Sequence, residues 1–278
     1  MSIFDIFNYL ERINCLHHQI SQSMSQFLKI LEVLNLFSRE RITVSAEEVE
    51  ELLGLSRPTA FRYLRQLCDA GLVARLSGRY ALGARIIELD YRSRELDPML
   101  LAGGPSLKAL AAKTGCSVML SSIYGDQIIN IYQEDGPDPT TVSFGRGRVM
   151  PLFAGAASKV ILAHMDATRL KSVYRRHHAS EGALAIAADW NAFSKYYRAI
   201  RAQGFYASRG EVDKDVTGIG APIFNGDKMV VGALTIVFDS QRGQLLDVSL
   251  LGKLAAESAR QIAAGLAEPA SIHRPPPI

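Results

Sequence analysis

Between Ser56 and Arg85 the sequence places six arginines, Arg57, Arg62, Arg65, Arg75, Arg79 and Arg85, against one acid, Asp69. A guanidinium is planar and permanently charged, and its fork of N–H donors matches a phosphate or the edge of guanine. Arginine at this density therefore points to nucleic-acid recognition. The residues just before are acidic, with Glu47, Glu48, Glu50 and Glu51, so the basic charge is confined to one side of the stretch. Net charge over the 278 residues is only +3. That is too weak for a bulk nucleic-acid coat, so contact must come from this local patch. Arg57, Arg62, Arg65 and Arg79, with Ser45, Ser56, Pro58, Thr59, Tyr63 and Ser77, form the candidate DNA-contact set.

The elements that would carry these residues can be read locally. Ser45 is a good N-cap and Glu48 stands three residues later, as in a capping box. Val49, Leu52 and Leu53 fall on one helical stripe, and Gly54 can supply a left-handed C-cap. Leu55 would fill the corner. Ser56 then caps a second helix with Pro58 in its first turn. Ala60, Leu64 and Leu67 would face the first helix, leaving Arg57, Thr59, Arg62, Tyr63 and Gln66 outward. Strands at Leu72–Arg75 and Arg79–Leu82 flank Ser77-Gly78, a tight-turn pair. This is a winged helix-turn-helix, a module that lays its second helix in the major groove. The alternative is a helical hairpin with a solvated basic face.

Composition sets bounds. Charged residues are 21% and hydrophobic ones 48%, as in ordinary soluble domains, and the length allows two cores. Cys15, Cys68 and Cys116 lack metal-ligand spacing and read as reduced thiols of a cytoplasmic protein. The apolar run Met229–Phe238 is about half of what crosses a bilayer, and no leader pattern opens the chain, so no membrane partner is expected. The sequence holds no Gly-x-Ser-x-Gly elbow, phosphate loop, dinucleotide fingerprint or His-Glu-x-x-His. His177-His178 reads as a surface pair. No metal, cofactor or catalytic residue is expected.

Residues 1–23 read as an extension (Ile3, Ile6, Phe7 and Leu10 give amphipathic pieces): an arm, a dimer contact, or a consequence of start-site choice. Met24–Phe37 reads as the first helix of a DNA-binding domain over 24–83. Residues 84–98 read as a linker helix that sets dimer geometry or is simply solvated. From residue 99 the pattern alternates. Helices are expected over Leu107–Thr114, Ala154–His164, Leu170–His178, Trp190–Gln203 and Gly243–Leu266. Strands are expected over Ser117–Ile123, Gln127–Gln133, Thr141–Phe144, Phe205–Ser208, Val216–Phe224 and Met229–Phe238. Hairpin turns at Tyr124-Gly125-Asp126 and Asn225-Gly226-Asp227 argue for an α+β class with an antiparallel sheet over 99–267. Residues 268–278 are Pro-rich and read as a disordered tail.

Over about Met24–Leu266 the chain resembles the IclR family of bacterial transcription regulators. Besides the winged module, VSFGRGRVMPLFAGAASKVILA (Val142–Ala163) resembles the family's Gly-rich turn and small-residue helix start. AIRAQGFYASRGEVDKDVTGIGAPIFNGDKMVVGALTI (Ala199–Ile236) resembles its arginine helix, glutamate loop and closing hairpin. The resemblance implies a winged helix-turn-helix, a linker helix and a GAF-like effector-binding domain. It also implies dimers or dimers of dimers on double-stranded operator DNA, and a small organic-acid or aromatic-acid effector.

In members that bind small carboxylates, amides at the small-residue helix start hold the anion. Here these would be Gly155 and Ala156, although the same residues could simply pack against the sheet. By the same resemblance the polar positions fall at Ser208, Gly218, Thr235 and Val237. Only Ser208 and Thr235 keep hydrogen-bonding capacity, which argues for a larger or less polar ligand. Met119, Leu152 and Phe153 could supply apolar wall. Arg146, Arg148 and Arg209 could pair with an acid effector, or with Glu211 and Asp213. The expected function is a DNA-binding regulator, repressor favoured over activator, controlled by such an effector and not an enzyme. The alternative is a small-molecule enzyme or metabolite-binding protein with an accessory DNA-binding domain.

Overall fold

The computed structural model describes residues 28–38 and 40–267. The expected extension 1–23, Met24 to Phe27 of the expected first helix, Cys15 and the expected tail 268–278 lie outside these residues. The chain divides into two compact units, meeting between Glu95 and Leu96.

In the first unit residues 28–32 are helical and tighten into a 3₁₀ turn, Val33–Leu36. Helix α1 is Ala46–Leu53 and helix α2 is Arg57–Asp69. Strands β1 (Val73–Leu76) and β2 (Arg79–Leu82) form the wing, and helix α3 is Ala84–Leu96. The start of α1 is fixed as its sequence requires. Glu48 N–H donates to Ser45 Oγ at 3.2 Å, and Ser45 N–H donates back to the Glu48 carboxylate at 2.7 Å. Gly54 ends the helix at φ 61°, a conformation that a side chain disfavours. In the wing turn Ser77 and Gly78 both have positive φ, matching the twist of a two-residue hairpin. Val44 and Tyr80 exchange backbone hydrogen bonds at 2.8 and 2.7 Å, which ties the wing to the segment entering α1.

Several local expectations change. Leu52 is 46% exposed, and α1 instead buries Ala46 and Val49. Ser56 sits at the N-cap of α2 but makes no capping bond; its hydroxyl lies 2.9 Å from that of Thr59. α3 buries no residue and stops at Leu96, because Asp97 accepts from Met99 and Leu100 N–H and caps the next helix.

The second unit is a five-stranded antiparallel sheet between two helical layers. Helix α4 is Pro98–Thr114, β3 is Ser117–Tyr124 and β4 is Gln127–Glu134. Helices α5 (Ala156–His164), α6 (Ala167–His177), α7 (Glu181–Ile186) and α8 (Trp190–Gln203) follow. Strands β5 (Tyr206–Arg209), β6 (Val216–Phe224) and β7 (Val230–Asp239) and helix α9 (Val248–Ala267) complete it. Strand order is β4-β3-β7-β6-β5. α4 and α9 cover one face around Leu120, Ile236 and Phe238. α5 packs on the other face, with α8 behind it around Phe193 and Tyr197. Being enclosed, α5 buries every residue from Ala156 to Ala163, and its sequence is apolar but for Ser158 and Lys159.

α4 begins nine residues before the expected Leu107. Gly103-Gly104-Pro105 reads as a breaker, yet Gly103 is buried where a Cβ would lie 3.4–3.5 Å from Leu107, Leu120 and Ile262, and packing overrides propensity. The short helix α7 was not expected, and α9 starts at Val248 after a 3₁₀ turn, Arg242–Leu245. The expected strand Thr141–Phe144 is absent. Polar groups there bond elsewhere: Ser143 N–H donates to Asp213 at 2.9 Å and the Phe144 carbonyl accepts from the Asn130 amide. The ladder moves instead to an isolated bridge between Val149 and Ile129.

One contact sets the distance of α5 from the sheet. A Cβ on Gly220 would lie 2.9 Å from both the carbonyl carbon and the oxygen of Ala156. Gly220→Ala is expected to push α5 outward and cost about 1–3 kcal/mol in urea denaturation. Gly226→Ala, with open space around it, should change stability by less than about 0.5 kcal/mol.

Candidate functional sites

α2 presents two unlike faces. Ala60, Tyr63, Leu64 and Leu67 are buried, and their spacing is one helical stripe. Tyr63, expected outward, is 3% exposed; at i+3 from Ala60 it shares the core face and leaves the contact set. The opposite face carries Arg57, Pro58, Arg62, Arg65 and Gln66, all exposed, with Thr59 half-buried beside them. Phe61, 40% exposed, belongs to this face and was not anticipated; the helical wheel alone carries that signal.

The arginines divide by what holds them. Arg79 is exposed but tethered on the surface of the unit: its guanidinium reaches Thr43 Oγ at 2.8 Å, the Thr43 carbonyl at 3.1 Å and Glu48 at 2.7 Å. It locks the wing to α1, and its guanidinium is committed there. The Ser45 N–H bond, ahead of the Arg79 charge, lowers the Glu48 carboxyl below its ordinary range, so the lock keeps its anion. Ser45 Oγ is likewise committed to its cap. Arg57 lies 3.6 Å from Glu47 and Arg65 4.0 Å from Asp69, both in solvent, where such pairs contribute little. Arg62 rests over the Tyr63 ring at 5.5 Å. Ser77 is exposed at the wing tip. Arg57, Arg62 and Arg65 thus share one solvated helical face.

The second unit holds a cavity of about 480 Å³, including its mouth, between the start of α5, the sheet and loop 210–215. Six expected residues meet there: Gly155, Ala156, Ser208, Gly218, Thr235 and Val237. Asn130, Phe144, Met150, Val212 and Asp213 also line it and were missed, because sequence-distant loops bring them in. The Thr235 hydroxyl is buried with no hydrogen-bond partner. Gly218 opens the floor: a Cβ there would sit 3.1 Å from Ser208 Oγ and 3.4 Å from Thr235 Cγ2.

Six expected residues do not line this cavity, Arg148 among them. Met119 pairs with Thr235 across β3 and β7 but lies outside the lining. Leu152 and Phe153 pack into the α5–α8 core, with the Phe153 ring 5.9 Å from Phe193 and 6.1 Å from His177. Arg146 donates to the Ile131 carbonyl at 3.1 Å. Arg209 lines a different cavity with Thr217 and Ser240.

The helix start is also not open as expected. Gly155 N–H donates to the Glu211 carboxylate at 2.9 Å. That carboxylate also accepts from Lys159 Nζ at 2.8 Å and from the Tyr206 hydroxyl at 2.7 Å. Tyr206 in turn lies 3.1 Å from the Tyr196 hydroxyl, and Lys159 rides over both rings. Burial, then the bonds to Tyr196 and Glu211, raise the Tyr206 phenol well above its ordinary range, so it remains a donor. Among the described residues no group of three or more His, Cys, Asp or Glu is placed to hold a metal, and no helix is long and apolar enough to cross a membrane.

Residues 28–77 match the IclR helix-turn-helix domain family, and residues 99–264 match the family described as the bacterial transcriptional regulator IclR C-terminal domain. The transcriptional regulator KdgR of Escherichia coli (strain K12) is 23% identical over 222 residues, covering 79% of this chain and 84% of that one. The DNA-binding transcriptional repressor YiaJ of the same strain is 26% identical over 250 residues, 87% of this chain and 86% of that one. The chain superposes on an IclR transcriptional regulator from Alicyclobacillus acidocaldarius with TM-score 0.72 at 22% identity, covering 87% and 99% of the two chains. An IclR homologue from Microbacterium hydrocarbonoxydans, complexed with 4-hydroxybenzoate, gives 0.71 at 19% identity over 87% and 98%. At these identities the superpositions show the shared fold.

Lys159 is nine-tenths buried, so removing its charge strands Glu211. Lys159→Met is expected to cost about 3 kcal/mol. Lys159→Met combined with Glu211→Gln should lose less than the two single changes together. Urea denaturation of the four proteins checks this; additive losses would mean that the pair is not coupled.

Proposed function

The chain belongs to the IclR family of bacterial transcriptional regulators, and on that premise we propose that it is a sequence-specific repressor released from its operator by a small molecule. The observation that carries this reading is the two-faced α2. Its apolar stripe is buried, Arg57, Arg62 and Arg65 stand together in solvent, and the wing tip is exposed as well. Such a face can lie in a major groove, with arginine forks on guanine edges or phosphates and Thr59 and Pro58 at the helix entry. Ser77 at the wing tip would hold the neighbouring backbone.

Two copies would present two such helices to half-sites a helical turn or a multiple apart, as a dimer or a dimer of dimers. The exposed Ile87, Leu89 and Tyr91 of α3 support a second copy as partner in this reading. The setting is the cytoplasm, where operators are. The small molecule occupies the cavity at the start of α5, and its binding free energy biases the DNA-bound form against the free one. No turnover is proposed. Repression follows the sign printed for the relative YiaJ.

Arg62→Ala is expected to weaken operator binding about tenfold to a hundredfold in gel shift at fixed salt while leaving the melting temperature within a degree or so. Arg79→Ala should do the opposite first, lowering the melting temperature by freeing Glu48 and the wing. Unchanged operator affinity in Arg62→Ala would contradict the placement of this face on DNA.

A further inference from the structure

The resemblance brings organic and aromatic acids as effectors, but the charges around this cavity favour another class. Resting on the reading that the cavity is the effector site, we infer that its ligand is an uncharged, largely apolar small molecule that carries one carbonyl or hydroxyl. The lining side chains Val142, Phe144, Met150, Val212, Val216 and Val237 are apolar. The charged lining residue is an acid, Asp213, which accepts from Ser143 N–H at 2.9 Å. No Lys or Arg stands among the described lining residues.

The one helix-start amide seen to hold a carboxylate already holds the protein's own. Glu211 sits on Gly155 N–H and carries the charge of Lys159. A ligand carboxylate entering here would leave water beside the Asp213 carboxylate in a lining that holds no cation, the Lys159 charge being already taken by Glu211, and an unbalanced charge in an apolar pocket is strongly disfavoured. A neutral ligand meets none of this. It also meets a need: the Thr235 hydroxyl is 7% exposed, lines the cavity and has no partner, and a buried hydroxyl left unbonded is costly. A ligand carbonyl or hydroxyl at Thr235, with a ring or chain against Phe144 and Val237, satisfies it.

Calorimetric titration of the full chain with matched single-ring aromatics tests this. 4-Hydroxybenzoate is compared with methyl 4-hydroxybenzoate, and benzoate with benzamide, at pH 7.5. The neutral member of each pair should bind at least about tenfold tighter, and Thr235→Val should weaken that binding about tenfold. Glu211→Gln frees the Lys159 charge and should raise carboxylate affinity about tenfold. Asp213→Asn, which leaves the Lys159 pair intact, should move affinity the same way and serves if the first variant does not fold. Equal or tighter binding of the carboxylates by the wild type, or indifference to Thr235→Val, overturns this inference and leaves small-molecule control standing. Binding of neither member of either pair overturns the ligand-site reading and this inference with it.

Discussion

The Glu211 carboxylate holds together the three elements that enclose the cavity. It joins loop 210–215 to the start of α5 through Gly155 N–H, to the middle of α5 through Lys159, and to β5 through Tyr206. Its anion meets a buried cation and two donors, so the desolvation that makes a buried charge costly is compensated on every side. Because the loop is held there, Val212 and Asp213 become walls. Gly155, at φ 84°, is required at the join: a Cβ would lie 2.9 Å from Val212. The same hold turns a helix terminus suited to anions in general into one already supplied with an anion from within.

The first unit uses the same device with a different outcome. Arg79 is tethered by Glu48 and Thr43 and fixes the angle at which the wing leaves the helices. Its neighbours Arg57, Arg62 and Arg65 lack such a grip and remain in solvent on α2. One residue type in one short segment thus divides into a tethered member and a set without such a tether, all of them exposed. Burial of Tyr63 on the opposite side anchors the helix that displays them.

What was legible in the sequence was local. The Ser45–Glu48 box, the Gly54 cap and the Ser77-Gly78 turn depend on residues within four positions of one another, and each stands as its spacing implies. Trp190–Gln203 and Val216–Phe224 match their expected bounds because an amphipathic period and a doubly buried apolar run are strong signals. What was not legible depends on distant partners. Arg79 finds Glu48 31 positions away, and Gly155 finds Glu211 56 positions away. Residues 98–106 look like a loop until Leu120 and Ile262 pack on Gly103. Tyr63 misled because an aromatic with a hydroxyl suits a groove and a core equally, and only the wheel position decides. Six of the twelve expected cavity residues converge, since the motif fixes the helix start and the strand face; the arginines and Phe153 do not, because motif spacing says nothing of where long side chains end.

The two halves of the account meet on DNA. In the function proposed above, the solvated arginine face is what the second unit regulates, and a ligand in the second unit's cavity is what releases it. The most direct measurement is a hydroxyl-radical footprint of the full chain on a duplex it selects from a random pool. Two protected half-sites on one side of the duplex, their centres about 34–36 Å or a multiple apart, are expected, with protection lost when Arg57, Arg62 and Arg65 are all changed to Ala. Even protection without half-sites, or a footprint that survives the loss of those three arginines, would contradict the account.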